Sequence, residues 1–210
     1  MGTLFQVGGS GHFCSGTVVT GGAADLVVTA AHCVSATHGA ALRSGLEYAP
    51  SYRQGTSPYG RWEATRVFVD PRWTATGDPD LDVAFIDLAP RDGKRVADVV
   101  GAQRIAFNTP SAGTVRLTGY PSGADDPVTC LGTIGRRSDG QLRVACTGYR
   151  AGTSGSPWLT DFDPASRTWA VVGVIGGDEL GGDSDDVSYS PYFGTDVRKL
   201  YEQAVAGAGS

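Results

Sequence analysis

Short apolar runs, broken every few residues by glycine, proline or a polar cluster, set the rhythm of this chain. In its first half the runs are "TLFQV" (3–7), "HFCSGTVVT" (12–20), "DLVVTAA" (25–31), "RWEATRVFV" (61–69) and "DLDVAFIDL" (80–88). The second half offers "TVRLTGY" (114–120), "PVTCLGTIG" (127–135), "QLRVACTG" (141–148) and "TWAVVGVIGG" (168–177). β-Branched residues hold the middle of most of them, which suits strands on a pleated, partly buried surface. "GGSG" (8–11) and "TGG" (20–22) read as hairpin turns. A helical period appears clearly once, in "TDVRKLYEQAVAG" (195–207), with Val197, Leu200 and Tyr201 on one face and Thr195 or Asp196 as the N-cap. Residues 50–60 read as a surface loop, and 100–112 as a crossing between halves. The pattern predicts an all-β chain with one terminal helix.

Composition narrows this picture. The 210 residues suffice for one large domain or two small ones sharing a cleft. The 40% hydrophobic content supports a packed core rather than disorder. A net charge of −5 without a basic stripe argues against nucleic acid as a partner. No apolar run approaches the roughly 18 residues of a membrane-spanning helix. "TLFQV" follows Met1-Gly2 directly with no hydrophobic leader, consistent with a start codon placed before a trimmed mature chain.

Four cysteines allow three pairings. The local one, Cys14–Cys33 with Cys130–Cys146, closes two loops of fewer than 20 residues and suits an oxidising, extracellular compartment. The rival is a zinc site from His12, Cys14, His32 and Cys33, whose spacing fits no common zinc pattern. If Cys130 and Cys146 are bridged, register matters. A two-residue turn at Asp139-Gly140 sets Cys130 opposite Tyr149, whereas a five-residue loop from Arg136 to Gly140 sets it opposite Cys146. The longer loop, or a bulge, is therefore expected.

Candidate chemistry begins with the histidines, because a general base near neutral pH is most often imidazole. There are three: His12, His32 and His38. His32 ends the apolar run "VVTAAHC" beside a candidate half-cystine. Asp82 opens the apolar strand of "DLDVAFIDL", where a carboxylate short of water needs N–H donors, and Asp80 is its more solvated neighbour. In "RAGTSGSPW" (150–158) two glycines flank Ser154. Gly152 can adopt backbone angles that turn its N–H inward, the N–H of Ser154 can join it, and Gly155 releases the chain from the turn. A serine nucleophile needs such donors and a base within reach.

"TAAHC", "DVAF" and "GTSGSP" occur in the order His, Asp, Ser, separated by 50 and 72 residues. Here the sequence resembles the trypsin/chymotrypsin family of serine endopeptidases, whose motifs are T-A-A-H-C, D-[IV]-A-[LF] and G-D-S-G-[GS]-P in that order. "FCSGTVV", with its half-cystine, "LTGYP", "VVGVIGG" and the terminal helix extend the resemblance over nearly the whole chain. Gly-Ser-Pro after the serine looks most like the bacterial secreted branch that includes glutamyl endopeptidases. The resemblance implies two packed six-stranded antiparallel Greek-key β-barrels with a short C-terminal helix, divided as 1–105 and 106–210. It implies Ser154 as nucleophile, His32 as general base and then acid, Asp82 as the group orienting His32, and the N–H groups of Gly152 and Ser154 as the oxyanion hole. Tyr149, Ile175, Gly176 and Gly177 fall at substrate-binding positions. Protein or peptide substrates, proteinaceous inhibitors, a monomeric secreted enzyme and no cofactor or metal complete the expectation.

Three positions depart from the family pattern. Thr153 stands where animal trypsins carry the aspartate that pairs with a newly cut N-terminal amine, so the site is expected to form without that ion pair. Gly176 replaces a serine that supports the triad carboxylate, leaving Asp82 to backbone N–H groups or water. Ile175 matches the histidine with which glutamyl endopeptidases bind an acidic side chain, and no histidine follows His38. Arg150 is a possible source of positive charge in the cleft. The acidic run "GDELGGDSDD" (177–186) reads as a solvated loop, with attraction of basic peptides or calcium as alternatives, and it does not match an EF-hand. An α/β-hydrolase is excluded, because its G-x-S-x-G elbow meets Ser156 here and its histidine follows the serine.

Overall fold

The computed structural model of the chain describes residues 1–22, 25–35 and 41–208. The apolar runs of the first half become strands β1 (Gly2–Gln6), β2 (His12–Val19), β3 (Leu26–Thr29), β4 (Leu46–Pro50), β5 (Trp62–Val69) and β6 (Ala84–Leu88). They close into a barrel in the order β1-β2-β3-β6-β5-β4, every pair antiparallel. The second half supplies β7 (Arg104–Ile105), β8 (Gly113–Gly119), β9 (Val128–Arg136), β10 (Gln141–Ala145), β11 (Pro157–Asp163), β12 (Thr168–Val174) and β13 (Val187–Pro191). Their order is β13-β10-β9-β8-β11-β12-β7. The N–H of Gly176, just past β12, donates to the carbonyl of Tyr189 in β13 at 3.1 Å and draws the two ends of this sheet together. Read around that junction, β8 to β13 repeat the circuit of β1 to β6.

The two-barrel Greek-key architecture is therefore present, with one addition. β7 joins β12 in parallel as a seventh strand. It lies within the predicted crossing segment, which also bonds back to the first barrel through Gln103 N–H to the Val18 carbonyl (2.9 Å).

Burial explains why several runs do not alternate. In β3, Val27 enters the core inside the first barrel, with Leu4, Tyr48, Trp62 and Ile86. Its neighbours Leu26 and Val28 turn the other way, into a second core with Phe85, Val171, Val174 and Phe193. A strand covered on both faces reads as a continuous apolar run. A third core, with Val115, Leu117, Val144 and Trp158, fills the second sheet.

Among the described residues, three short helices, α1 (Ala31–Val34), α2 (Pro71–Thr76) and α3 (Val96–Val100), and two 3₁₀ turns (Pro79–Leu81 and Asp178–Gly181) interrupt the strands, and α4 (Thr195–Gly207) follows them. α4 buries Val197 and Leu200 in the second core, with Tyr201 partly buried beside them, as its period predicts. Its N-cap is Gly194 with no side-chain cap, in place of Thr195 or Asp196.

Both local disulfides are formed, Cys14–Cys33 and Cys130–Cys146, which ends the zinc reading because the cysteine sulfurs are bonded to each other. The loop after β9 is shorter than the five residues expected. Arg136 pairs with Leu142 and Gly135 with Arg143, and Arg137 and Ser138 both donate to the Gln141 carbonyl. Carried on regularly, that register would put Cys146 opposite Gly132. Regular pairing stops at Gly135, and the offset is absorbed below it, where the bridge forms.

Candidate active site

A cleft of about 480 Å3 is lined by residues from both halves of the chain, among them His32, Tyr149, Gly152, Ser154 and Ile175. His32 reaches it from α1, a single helical turn that follows β3 where the sequence suggested more strand. The disulfide at the next residue, Cys33, ties that turn to β2. Asp82 sits behind the imidazole, fully buried, at the end of a 3₁₀ turn (Pro79–Leu81) rather than inside strand β6. Asp78 caps that turn by accepting the Asp80 N–H at 3.1 Å.

The buried carboxylate is fully engaged. Its Oδ2 accepts from His32 Nδ1 at 2.7 Å and from the Gly177 N–H at 2.7 Å, and its Oδ1 accepts from the His32 N–H at 2.8 Å. Three donors offset the cost of removing a carboxylate from water. With Nδ1 donating, the neutral ring presents the lone pair of Nε2 on its opposite side. The imidazole is 10% exposed, so it is accessible only from the cleft. No serine hydroxyl supports Asp82 at position 176. A Cβ there would stand 3.0 Å from both the Asp82 carbonyl and Oδ2, and the glycine lets the chain pass close enough for the next N–H to bind.

Ser154 lies on the loop between β10 and β11. Gly152 has φ +93°, and a Cβ there would meet the Ser122 N–H nitrogen at 2.3 Å; Gly155 has φ +80°, and a Cβ there would meet Thr29 and Ser15 at about the same distance. Both positions thus need glycine twice over, for their angles and for space. Along this loop the N–H groups of Thr153, Gly155 and Ser156 donate to Arg150, Ile175 and Thr153 carbonyls. Those of Gly152 and Ser154 have no acceptor among the described residues. No hydrogen bond between Ser154 Oγ and the imidazole occurs among the described residues, although both line the cleft, and such contacts commonly tighten only when substrate binds. Thr153 Oγ1 donates to the Arg150 carbonyl at 2.8 Å.

The other predicted positions divide. Tyr149 and Ile175 are buried and line the cleft, and the Tyr149 hydroxyl donates inward to the Leu117 carbonyl at 2.9 Å. Burial raises that phenol's pKa well above its ordinary value. Gly176 and Gly177 lie against Asp82 and are not among the lining residues. Arg150 lines the cleft, as do Glu179, Asp183 and Asp185 of the acidic run. His12 is buried away from the cleft, between Phe5, Tyr52 and Tyr120, with Nε2 on the Ala124 carbonyl at 2.9 Å. His38 lies outside the described residues.

Two site-supporting residues carried no sequence signal of their own. Gln141 is buried and ties the loops around Asp82 together: Nε2 donates to the Pro79 carbonyl (2.9 Å) and Asp80 Oδ1 (2.8 Å), and Oε1 accepts the Asp178 N–H (3.3 Å). Ser15, seen in the sequence only as a neighbour of a half-cystine, is fully buried and grips the Ser154 loop from the first barrel.

A profile of the trypsin-like peptidase domain matches residues 14–174. Among solved structures, the chain is similar to the protease Anisep from Arthrobacter nicotinovorans, at 28% identity and TM-score 0.81, over 98% of this chain and 95% of that one. It is equally similar to the thermostable serine protease AL20 from an extremophilic microorganism, at 28% identity and TM-score 0.81, over 98% and 96% of the two chains. A Glu endopeptidase shares the fold at 19% identity and TM-score 0.70, over 97% of each chain. A search of curated proteins finds no match. With this profile spanning most of its length, the chain belongs to the trypsin-like peptidase family and is a serine endopeptidase acting on peptide or protein substrates.

Proposed function

We propose that this endopeptidase works through Ser154, His32 and Asp82. The observation that carries the reading is the buried Asp82–imidazole pair at 2.7 Å, set in the same cleft as a serine whose own N–H and that of Gly152 lack internal acceptors. In the first half-reaction Ser154 Oγ attacks the carbonyl carbon of the scissile amide, and its proton passes to His32 Nε2. Asp82 holds the Nδ1–H tautomer and stabilises the imidazolium that forms. The negative oxygen of the tetrahedral intermediate binds between the Gly152 and Ser154 N–H groups, each such donor being worth about 3–4 kcal/mol of transition-state stabilisation. His32 then gives its proton to the leaving nitrogen, the C–N bond breaks, and an acyl-enzyme remains. Water repeats the sequence and frees Ser154.

The supporting residues fit these roles. The Gly177 N–H does for Asp82 what a serine hydroxyl does in the trypsins. The apolar Ile175 gives the cleft no imidazole for an acidic side chain. Residues 1–105 and 106–210 act as the two halves of one peptidase unit. The two disulfides suit a secreted enzyme, working as a monomer and open to proteinaceous inhibitors.

Hydrolysis of casein and of a peptide library tests the reading, with an ester substrate to display the burst of a forming acyl-enzyme. The wild-type chain should show cleavage and a burst, and Ser154→Ala should lower turnover by about 10⁴–10⁶-fold. Normal casein cleavage by Ser154→Ala would remove Ser154 from the mechanism.

A further inference from the structure

Four consecutive carbonyls around the nucleophile are all occupied. The Ala151 carbonyl accepts the Ser122 N–H at 2.7 Å, and the Gly152 carbonyl accepts Ser15 Oγ at 3.0 Å. The Thr153 carbonyl accepts both the hydroxyl of Ser156 at 2.5 Å and its N–H at 2.9 Å. The Ser154 carbonyl accepts the Ser15 N–H at 2.7 Å. A peptide unit is planar and trans, so its C=O and N–H point in opposite directions. Fixing the Ala151 and Thr153 carbonyls therefore fixes the N–H groups of Gly152 and Ser154, the two that have no acceptor among the described residues.

Two of these anchors are side chains. Ser15 and Ser156 are both fully buried. Ser15 Oγ is itself held, accepting the Tyr120 N–H at 2.9 Å, and its carbonyl accepts Thr29 Oγ1 at 2.8 Å. One serine of the first barrel thus grips alternate carbonyls of the loop, while Ser156 grips the carbonyl between them. Thr153, which cannot form a salt bridge, turns its hydroxyl to the Arg150 carbonyl instead.

We infer that Ser15 and Ser156 are positioning residues for the oxyanion hole, their hydroxyls holding the Ser154 loop ready for catalysis without an ion pair at position 153. The inference rests on the assignment of Ser154 as nucleophile. Neither hydroxyl touches substrate. Ser156 acts directly, on the Thr153–Ser154 peptide whose N–H faces the developing oxyanion, and Ser15 acts through the Gly152 and Ser154 carbonyls on either side of it; misplacement there by about 1 Å costs on the order of 100-fold in rate.

The test compares full-length wild type, Ser15→Ala and Ser156→Ala on a fluorogenic peptide built from a casein cleavage site, with rates expressed per active site counted by burst titration. Both variants should lose about 10- to 100-fold in kcat, with KM within about twofold of wild type. Affinity for a peptide boronate, which forms a tetrahedral adduct, should fall in parallel, while affinity for the product peptide acid should hold. Wild-type kcat per titrated site in both variants, even at a lower melting temperature, would overturn the inference and leave the hydroxyls as packing alone. If Ser15→Ala does not fold, Ser156→Ala decides by the same criteria. A wild-type chain with neither burst nor hydrolysis would instead strike the Ser154 assignment, a distinct failure.

Discussion

At the scale of single residues, what each polar group is bonded to decides what it can do. Asp82 accepts three hydrogen bonds while fully buried, and one of them selects the imidazole tautomer. Asp82→Asn should keep the fold and lower kcat by about 10⁴-fold, because an amide can donate to Nδ1 and favours the wrong tautomer. Steady-state kinetics beside a thermal melt would check this, and near-normal turnover would contradict it. That His32 pairs with Asp82 and shares a cleft with Ser154 was legible in the sequence, because each of the three sits in a short motif whose neighbours shape the same place, as Gly152 and Gly155 do by surrendering a Cβ that has no room. Ser15 and Gln141 were not legible. Their partners lie 137 and 105 residues away for Ser15 Oγ, and 61 and 62 for Gln141 Nε2, so nothing local marks them.

At the scale of elements, apolar runs with β-branched centres became strands, and the misses share a cause. β4 and β13 are short and end in proline, β11 begins with one, and their burial comes from partners in other parts of the chain. α2 and α3 have six and five residues, too few for a period to show. α3 illustrates what replaces local signals: it has no side-chain cap of its own, and Asp25, just before β3, accepts the Val96 and Ala97 N–H groups at 3.2 and 3.4 Å. Asp25→Ala should cost about 1–2 kcal/mol, read from urea unfolding. Burial raises the Asp25 pKa, outweighing those two donors. The folded chain therefore holds this proton to higher pH than the unfolded chain does. Its contribution to stability falls as pH rises from the ordinary aspartate value through the raised one. Asp25→Asn should flatten that part of the pH–stability curve; an unchanged slope would contradict the sign.

At the scale of the whole molecule, one strand circuit occurs twice, and the cleft forms where the two copies meet. His32 and Asp82 come from the first half and Ser154 from the second, so the site exists only if both halves fold and dock. Each half also carries one disulfide, with sequence separations of 19 and 16. Such loops stabilise by about 3 kcal/mol apiece, roughly 6–12 °C in melting temperature for a chain of this size. Melting with and without dithiothreitol should show that loss, and identical melts would mean that neither bridge constrains the unfolded chain. The most direct measurement of the central claim is covalent labelling by a fluorophosphonate, with the modified residue mapped by mass spectrometry. The label should fall on Ser154 in the wild-type chain and be lost in a folded His32→Ala variant. A folded wild-type chain that takes no label, or takes it on another residue, would contradict the account.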